Sequence, residues 1–249
     1  MVRKMINTAK GHKKFVKGLL VLKKVFDNHK IVFWLEAGTL IGAAREGKII
    51  PWDSDVDISY WIDSTPNIYK TNEDFKKYGY ELYFTGGHYA LRDIKTKKHL
   101  ICILPAANLD NYIAKMSFLI PYRYFIWALS EPDYSSYDYD FNDYFSKYIP
   151  KSIKKIIVTG TSKFNGDERL KLVDFFWKLI LKFKLYSPMF VRSPKEYLGN
   201  FTEIEFYGEK FRIPENYDQY LEFRFNNWKI PDKNGRGKTR SLKEIKVGA

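Results

Sequence analysis

One cysteine, Cys102, is the only thiol in this chain of 249 residues, so an intrachain disulfide is excluded and no cysteine zinc site is expected. Histidine is nearly as scarce: there are four, none at paired spacing, which argues against a histidine-based metal site. No apolar run approaches the roughly 20 residues that a membrane span requires. The opening Met1-Val-Arg-Lys-Met-Ile is not followed by an uninterrupted apolar stretch, so no signal peptide is expected and a reducing cytoplasm is the expected compartment. Acids are also in deficit, 29 Asp and Glu against 42 Lys and Arg, for a formal charge of +13. That surplus draws anionic partners: nucleic acid, anionic lipid or phosphorylated substrates. The basic residues are dispersed, however, without helix-turn-helix, zinc-finger or RNA-binding aromatic spacing, so nucleic acid is not the expected partner. A generally Lys-rich surface explains the charge equally well.

Aliphatic and aromatic residues are plentiful. Hydrophobic residues make up 45% and aromatics 18%, enough for the core of one large domain or of a small bipartite unit. Phe15, Leu19, Leu22 and Phe26 recur at helical spacing and predict a helix over 9–29. Ile31 to Glu36 reads as a strand and Thr39 to Arg45 as a short helix after a Gly38-Thr39 turn. A second strand is expected from Asp55 to Trp61, and a helix from Asn72 to Tyr78 ended by Gly79. Tyr80–Phe84 and His88–Ile94 form an expected hairpin around Gly86-Gly87, and His99–Leu104 a strand stopped by Pro105. The stretch 131–149 is rich in Tyr and Asp and reads as a loop. Residues 166–185 predict a helix with one polar stripe (Lys171, Asp174, Lys178, Lys182), its wide apolar arc suited to burial or to a membrane surface. The expected organisation is a core over 1–130, a helical and loop-rich region over 131–232 completing the same compact unit, and a flexible basic tail over 233–249.

The densest chemistry lies between Trp34 and Ile58. Asp53, Asp55 and Asp57 occupy alternate positions, which in a strand share one face. Three carboxylates so placed repel one another unless a cation sits between them, and hard oxygen ligands suit Mg²⁺ or Mn²⁺. A small residue at Gly38, beside Thr39, lets backbone N–H groups approach an anion. Arg45 follows at helical spacing as a further cationic contact. Glu36 shares the strand face and is a candidate to orient a donor hydroxyl or a metal-bound water; a solvated strand-end carboxylate is the plainer alternative.

This segment resembles the signature of the LicD family, which includes phosphocholine transferases of bacterial surface polysaccharides, fukutin and fukutin-related protein. The matching residues are Leu35, Gly38, Thr39, Leu40, Gly42, Ala43, Arg45, Gly47, Ile50, Pro51, Trp52, Asp53, Asp55 and Asp57. A second likeness runs from Glu205 to Leu221 and on to Trp228 and Ile230-Pro231, with Pro214 read as the head of a helix and Tyr217, Tyr220 and Leu221 as its packing face. The family's Tyr-Gly-Asp triplet is here Phe225-Asn226-Asn227. The resemblance implies an α+β, nucleotidyltransferase-like mixed sheet flanked by helices, with a helical C-terminal region. It implies metal ligands at Asp55 and Asp57, with Asp53 as a further ligand or a turn-former, and substrate contacts at Glu36, Gly38, Thr39, Arg45, Trp52 and Cys102. It also implies transfer of a phospho-alcohol from a CDP-linked alcohol donor to a glycan or polysaccharide acceptor, with contact at the inner face of the membrane as an option.

Besides that triplet, the chain departs from the family at a position that bears on the chemistry. Where members carry Ile-Asp-Ile-Phe-Pro, this sequence has Ile101-Cys102-Ile103-Leu104-Pro105, so a thiol stands in place of the third acid. Three readings stay open: activation of the acceptor by metal alone or by Asp93 or Asp110, a Cys102 thiolate base, or donor binding with weak turnover. An inert buried cysteine is the plainer alternative. Besides phospho-alcohol transfer, two other functions remain: a nucleotidyltransferase that releases pyrophosphate, and a catalytically weakened donor-binding subunit.

Overall fold

The computed structural model describes residues 9–85, 88–109, 112–118, 163–184 and 186–232, with the side chains of 9–11, 116–118 and 187–191 excepted. The Gly86-Gly87 pair, Asp110, the break expected near residue 130, the stretch 131–149 and the tail 233–249 lie outside them.

Helix α1 (Ala9–Asn28) opens the fold, and Phe15, Leu19, Leu22 and Phe26 are all fully buried. Each such side chain contributes about 1.5–3 kcal/mol on leaving water. Next come β1 (Phe33–Leu35), α2 (Ala37–Glu46), β2 (Val56–Trp61), a 3₁₀ turn at Ile62–Ser64, α3 (Thr65–Lys70) and α4 (Asn72–Lys77). The strands β3 (Tyr80–Thr85), β4 (His88–Asp93), β5 (His99–Asn108) and β6 (Tyr112–Phe118) follow. The described C-terminal region holds α5 (Gly166–Lys182), β7 (Tyr186–Pro194), α6 (Lys195–Leu198), β8 (Phe201–Phe206), β9 (Glu209–Pro214) and α7 (Tyr217–Phe225). It is therefore mixed, adding strands to the expected helices.

The main sheet is mixed, in the order β1-β2-β5-β4-β3, with β6 paired to β5 and β7 to β6. Strands β2 and β5 run parallel, and the other pairs are antiparallel. Strand β5 is the hub. Pro105 does not stop it: pairing with β4 ends at Ile103 and pairing with β6 begins at Ala106. On that side of β5 Pro105 lies where one partner gives way to the other, while on the opposite side it stays in register with Tyr60 of β2. β7 carries Pro188 and Pro194 and pairs only with β6, an edge position that tolerates proline.

Three further expectations change. Gly38 and Thr39 lie inside the first turn of α2, with Glu36 as its N-cap, rather than in a turn before it. Pro214 ends β9 and the helix starts at Tyr217. In α5 the buried residues are Arg169, Leu170, Val173, Asp174, Trp177 and Ile180, so Asp174 faces inward while Phe175 is 54% exposed. A capping box at Asn165 and Glu168 fixes the start of this helix.

Candidate active site

The site is built where β1 hands over to α2 beside the start of β2. The N–H of Glu36 donates to the Asp57 carbonyl (3.1 Å), and the Asp57 N–H donates to Thr39 Oγ1 (2.8 Å). Thr39 is therefore a buried clamp on the Asp57 backbone. Ala37 adopts φ +48°, a left-handed conformation that costs a non-glycine residue about 1–3 kcal/mol. A Cβ on Gly38 would lie 2.2 Å from Asp53 Oδ2, so the absent side chain is what lets the Asp53 carboxylate rest against the helix start.

Strand β2 begins only at Val56, so Asp53 and Asp55 precede it and the acids are not three steps along one strand. The turn before it still gathers them. Asp53 Oδ1 accepts from the Ser54 N–H (2.9 Å) and Asp55 Oδ1 from Ser54 Oγ (3.4 Å). Burial and then the Asp55 charge push the Asp57 carboxyl well above the usual range; Asp53 and Glu36 add to this and Lys115 opposes it. A carboxyl in that condition holds a proton or calls for a cation. Carboxylate oxygens such as those of Asp55 and Asp57 are the donor type that hard divalent cations take.

Glu36 is not a solvated strand end. It is 1% exposed and is held by five groups: Trp34 Nε1 (3.3 Å), Ser59 Oγ (3.4 Å), Tyr220 OH, Lys115 Nζ (3.8 Å) and Arg224 Nη1 (3.6 Å). Arg224 also donates to Tyr220 OH (2.9 Å). Burial pushes Glu36 up, but Lys115, Arg224, Tyr220 and Trp34 together bring it below its ordinary value. Burial lowers Lys115, against the pull of Glu36, Asp57 and Cys102. Lys115, Tyr220 and Arg224 carry no local sequence signal that marks them as members of a site.

The structure does not bring Arg45 to the acids: its guanidinium donates to the Trp228 carbonyl (2.8 Å) and to Glu46 (2.7 Å). Trp52 is half-buried against the core in the turn ahead of Asp53. Cys102 pairs with Asp57 in the β2–β5 register and is 2% exposed. Its Sγ lies 3.9 Å from Asp55 Oδ2 and 3.3 Å from His99 Nε2. His99 has no spaced histidine partner in the sequence, yet its ring joins Asp55 and Cys102. Burial lowers its pKa to about 4, against the pull of Asp55. A groove of about 820 Å³ runs along α1 past Lys13, Lys17 and Tyr207; none of the acids Asp53, Asp55 and Asp57 lines it.

Ribitol 5-phosphate transferase FKRP of mouse and of human is 54% identical over 35 residues, 14% of this chain and 7% of FKRP. An uncharacterised protein of Rickettsia typhi is 32% identical over 72 residues, 26% of this chain and 23% of that protein. The chain thus spans well under a third of the length of these relatives. Among solved structures, the lincomycin-bound lincosamide adenylyltransferase LnuA aligns over 82% of this chain and 83% of its own at 14% identity and a TM-score of 0.39, too distant to speak to chemistry. Residues 30–129, which hold every acid of the cluster, match the family model described as LicD/FKTN/FKRP, nucleotidyltransferase domain. Over that segment the chain is similar to the LicD/FKTN/FKRP nucleotidyltransferase domain.

Proposed function

We propose that the chain is a metal-dependent phosphotransferase that moves a phospho-alcohol from a CDP-linked donor to a hydroxyl of a cell-surface glycan or polysaccharide precursor. Phosphocholine, phosphoribitol and phosphoglycerol are the candidate groups. The observation that carries this reading is the Asp57 carboxyl, driven up by burial and by Asp55 at the N-terminus of α2, inside the family-matched segment. Asp55 and Asp57 would hold Mg²⁺ or Mn²⁺, which when bound neutralises a diphosphate and acidifies an attacking hydroxyl. At the head of α2, Gly38 leaves room for the Asp53 carboxylate, which sets the acids beside the start of the helix. Asp53 shapes the turn that presents Asp55. Lys115, paired with Glu36 at 3.8 Å, supplies positive charge that Asp57 also feels.

FKRP is named for ribitol 5-phosphate, which makes CDP-ribitol the first donor to try. No helix among the described residues is long and apolar enough to cross a membrane. A cytoplasmic enzyme that meets its acceptor at the inner face of the membrane fits the basic surface. The test is phosphorus NMR of the chain with CDP-ribitol, CDP-glycerol or CDP-choline, Mg²⁺ and a glycan acceptor. The expected products are CMP and a new phosphodiester. Pyrophosphate release would mark nucleotidyl transfer instead, and tight donor binding without turnover would mark a donor-binding subunit.

A further inference from the structure

We propose that Asp55, His99 and Cys102 form a metal subsite beside the Asp55–Asp57 carboxylates, and that it takes a thiophilic divalent cation, Zn²⁺, rather than Mg²⁺. One ligand atom from each of the three lies within 4.8 Å of the others. Zinc bonds of about 2.0–2.1 Å to nitrogen and 2.3 Å to sulfur, at a tetrahedral angle, separate the two ligand atoms by about 3.6 Å. The observed separations, 3.3 Å from Cys102 Sγ to His99 Nε2 and 3.9 Å to Asp55 Oδ2, bracket that figure. A thiolate and an imidazole are poor ligands for Mg²⁺ and good ones for zinc. Three protein ligands leave the fourth position to water or a substrate oxygen, the pattern of catalytic rather than structural zinc.

Two independent features point the same way. In an uninterrupted strand, residues three apart face opposite sides. Here the β4–β5 register slips between Leu91 and Arg92, pairing Leu91 with Ile101 and Arg92 with His99. A slip of this kind re-aims a side chain, and it brings His99 round to Cys102. The far nitrogen of the ring is then fixed: His99 Nδ1 meets Tyr83 OH at 2.6 Å, leaving Nε2 toward Cys102. Such an outer partner sets the orientation of a ligating histidine. Tyr83 is itself covered by the Arg92 guanidinium, 4.6 Å from its ring centre, and Arg92 is anchored to Glu81 at 2.8 Å. On binding, the Cys102 S–H bond breaks, an S–Zn bond forms and the proton passes to solvent.

The inference shares Asp55 with the proposed function but does not depend on transfer. The test is a titration of the metal-free full chain with Co²⁺, a spectroscopic stand-in for zinc, in the absence of any donor. We expect one equivalent to bind with a thiolate-to-cobalt charge-transfer band, release of one proton, and displacement by Zn²⁺. Cys102→Ser should abolish the band. Tyr83→Phe should keep it and weaken affinity about 10–100-fold, the usual cost of losing an outer partner. Circular dichroism checks folding, and His99→Gln serves with the same readout if Cys102→Ser does not fold. Cobalt bound with only the weak spectrum of oxygen ligation, unchanged by Cys102→Ser, overturns the subsite, as does failure of the folded chain to bind Co²⁺. Either result leaves Mg²⁺-dependent transfer intact. A chain that shows the band yet is inert toward CDP-alcohols overturns transfer alone.

Discussion

At the scale of the residue, Glu36 decides whether the site is held together. Its carboxylate is the shared counter-charge of Lys115 and Arg224, all three drawn out of water. Glu36→Gln removes that charge and leaves two buried cations short of a partner, a change that costs about 3–5 kcal/mol. Because the folded pKa lies below the unfolded one, this stabilisation is complete above the ordinary value of 4.5 and is lost as the pH falls through the lower folded value. Urea denaturation of both proteins should therefore show a wide gap at neutral pH that narrows in acid; a gap independent of pH would assign Glu36 a packing role only. Gly38 tests a different thing. Gly38→Ala would drive its methyl into Asp53 Oδ2, the mobile end of a side chain, so the chain should still fold while Asp53 is displaced. We expect turnover to drop at least tenfold with the melting temperature nearly unchanged.

At the scale of the element, α2 is pinned from both ends. A Cβ at Gly42 would stand 2.5 Å from the Lys48 carbonyl, which is backbone and cannot turn aside. Gly42→Ala should therefore destabilise by about 1–3 kcal/mol, the usual cost of overpacking, and lower the melting temperature where Gly38→Ala does not. The last turn of α2 is tied to the C-terminal segment through Arg45 and the Trp228 carbonyl. Arg45→Ala should speed hydrogen exchange in α7 and leave the KM for the donor unchanged; a raised KM with normal exchange would return Arg45 to the substrate.

Elements are legible where the signal is local. The 3.6-residue spacing of Phe15, Leu19, Leu22 and Phe26 places α1 within a residue, and the two apolar runs around Gly86-Gly87 place β3 and β4, which pair as far as Thr85 and His88. β7 is hidden by Pro188 and Pro194. The β8–β9 hairpin is hidden because the run up to Pro214 reads as the approach to a helix headed by that proline. The acids of the site are legible too, since their spacing is a short-range pattern. The groups that complete it are not: Tyr220 reaches Glu36 from 184 residues away, and His99 reaches Cys102 through a slip in register that no alternation rule anticipates.

At the scale of the molecule, the fold gathers like charges whose partial desolvation works against stability, and on the proposed reading a cation offsets it. The folded pKa of Asp57 lies well above 3.8, so the folded state retains a proton that the unfolded state gives up, and stability falls as the pH rises past that value. Asp57→Asn removes this penalty. The metal-free variant should melt higher than wild type at neutral pH, and the difference should vanish in acid. The decisive measurement combines this with donor binding: melting curves of wild type and Asp57→Asn with CDP-ribitol, CDP-glycerol or CDP-choline, with and without Mn²⁺. A ligand at a hundredfold excess over its Kd stabilises by about 2.7 kcal/mol. We expect one donor to stabilise wild type to that extent only when Mn²⁺ is present, and not to stabilise Asp57→Asn at all. Equal stabilisation without the ion, or in the variant, would show that the carboxylates are not where the donor and its metal meet.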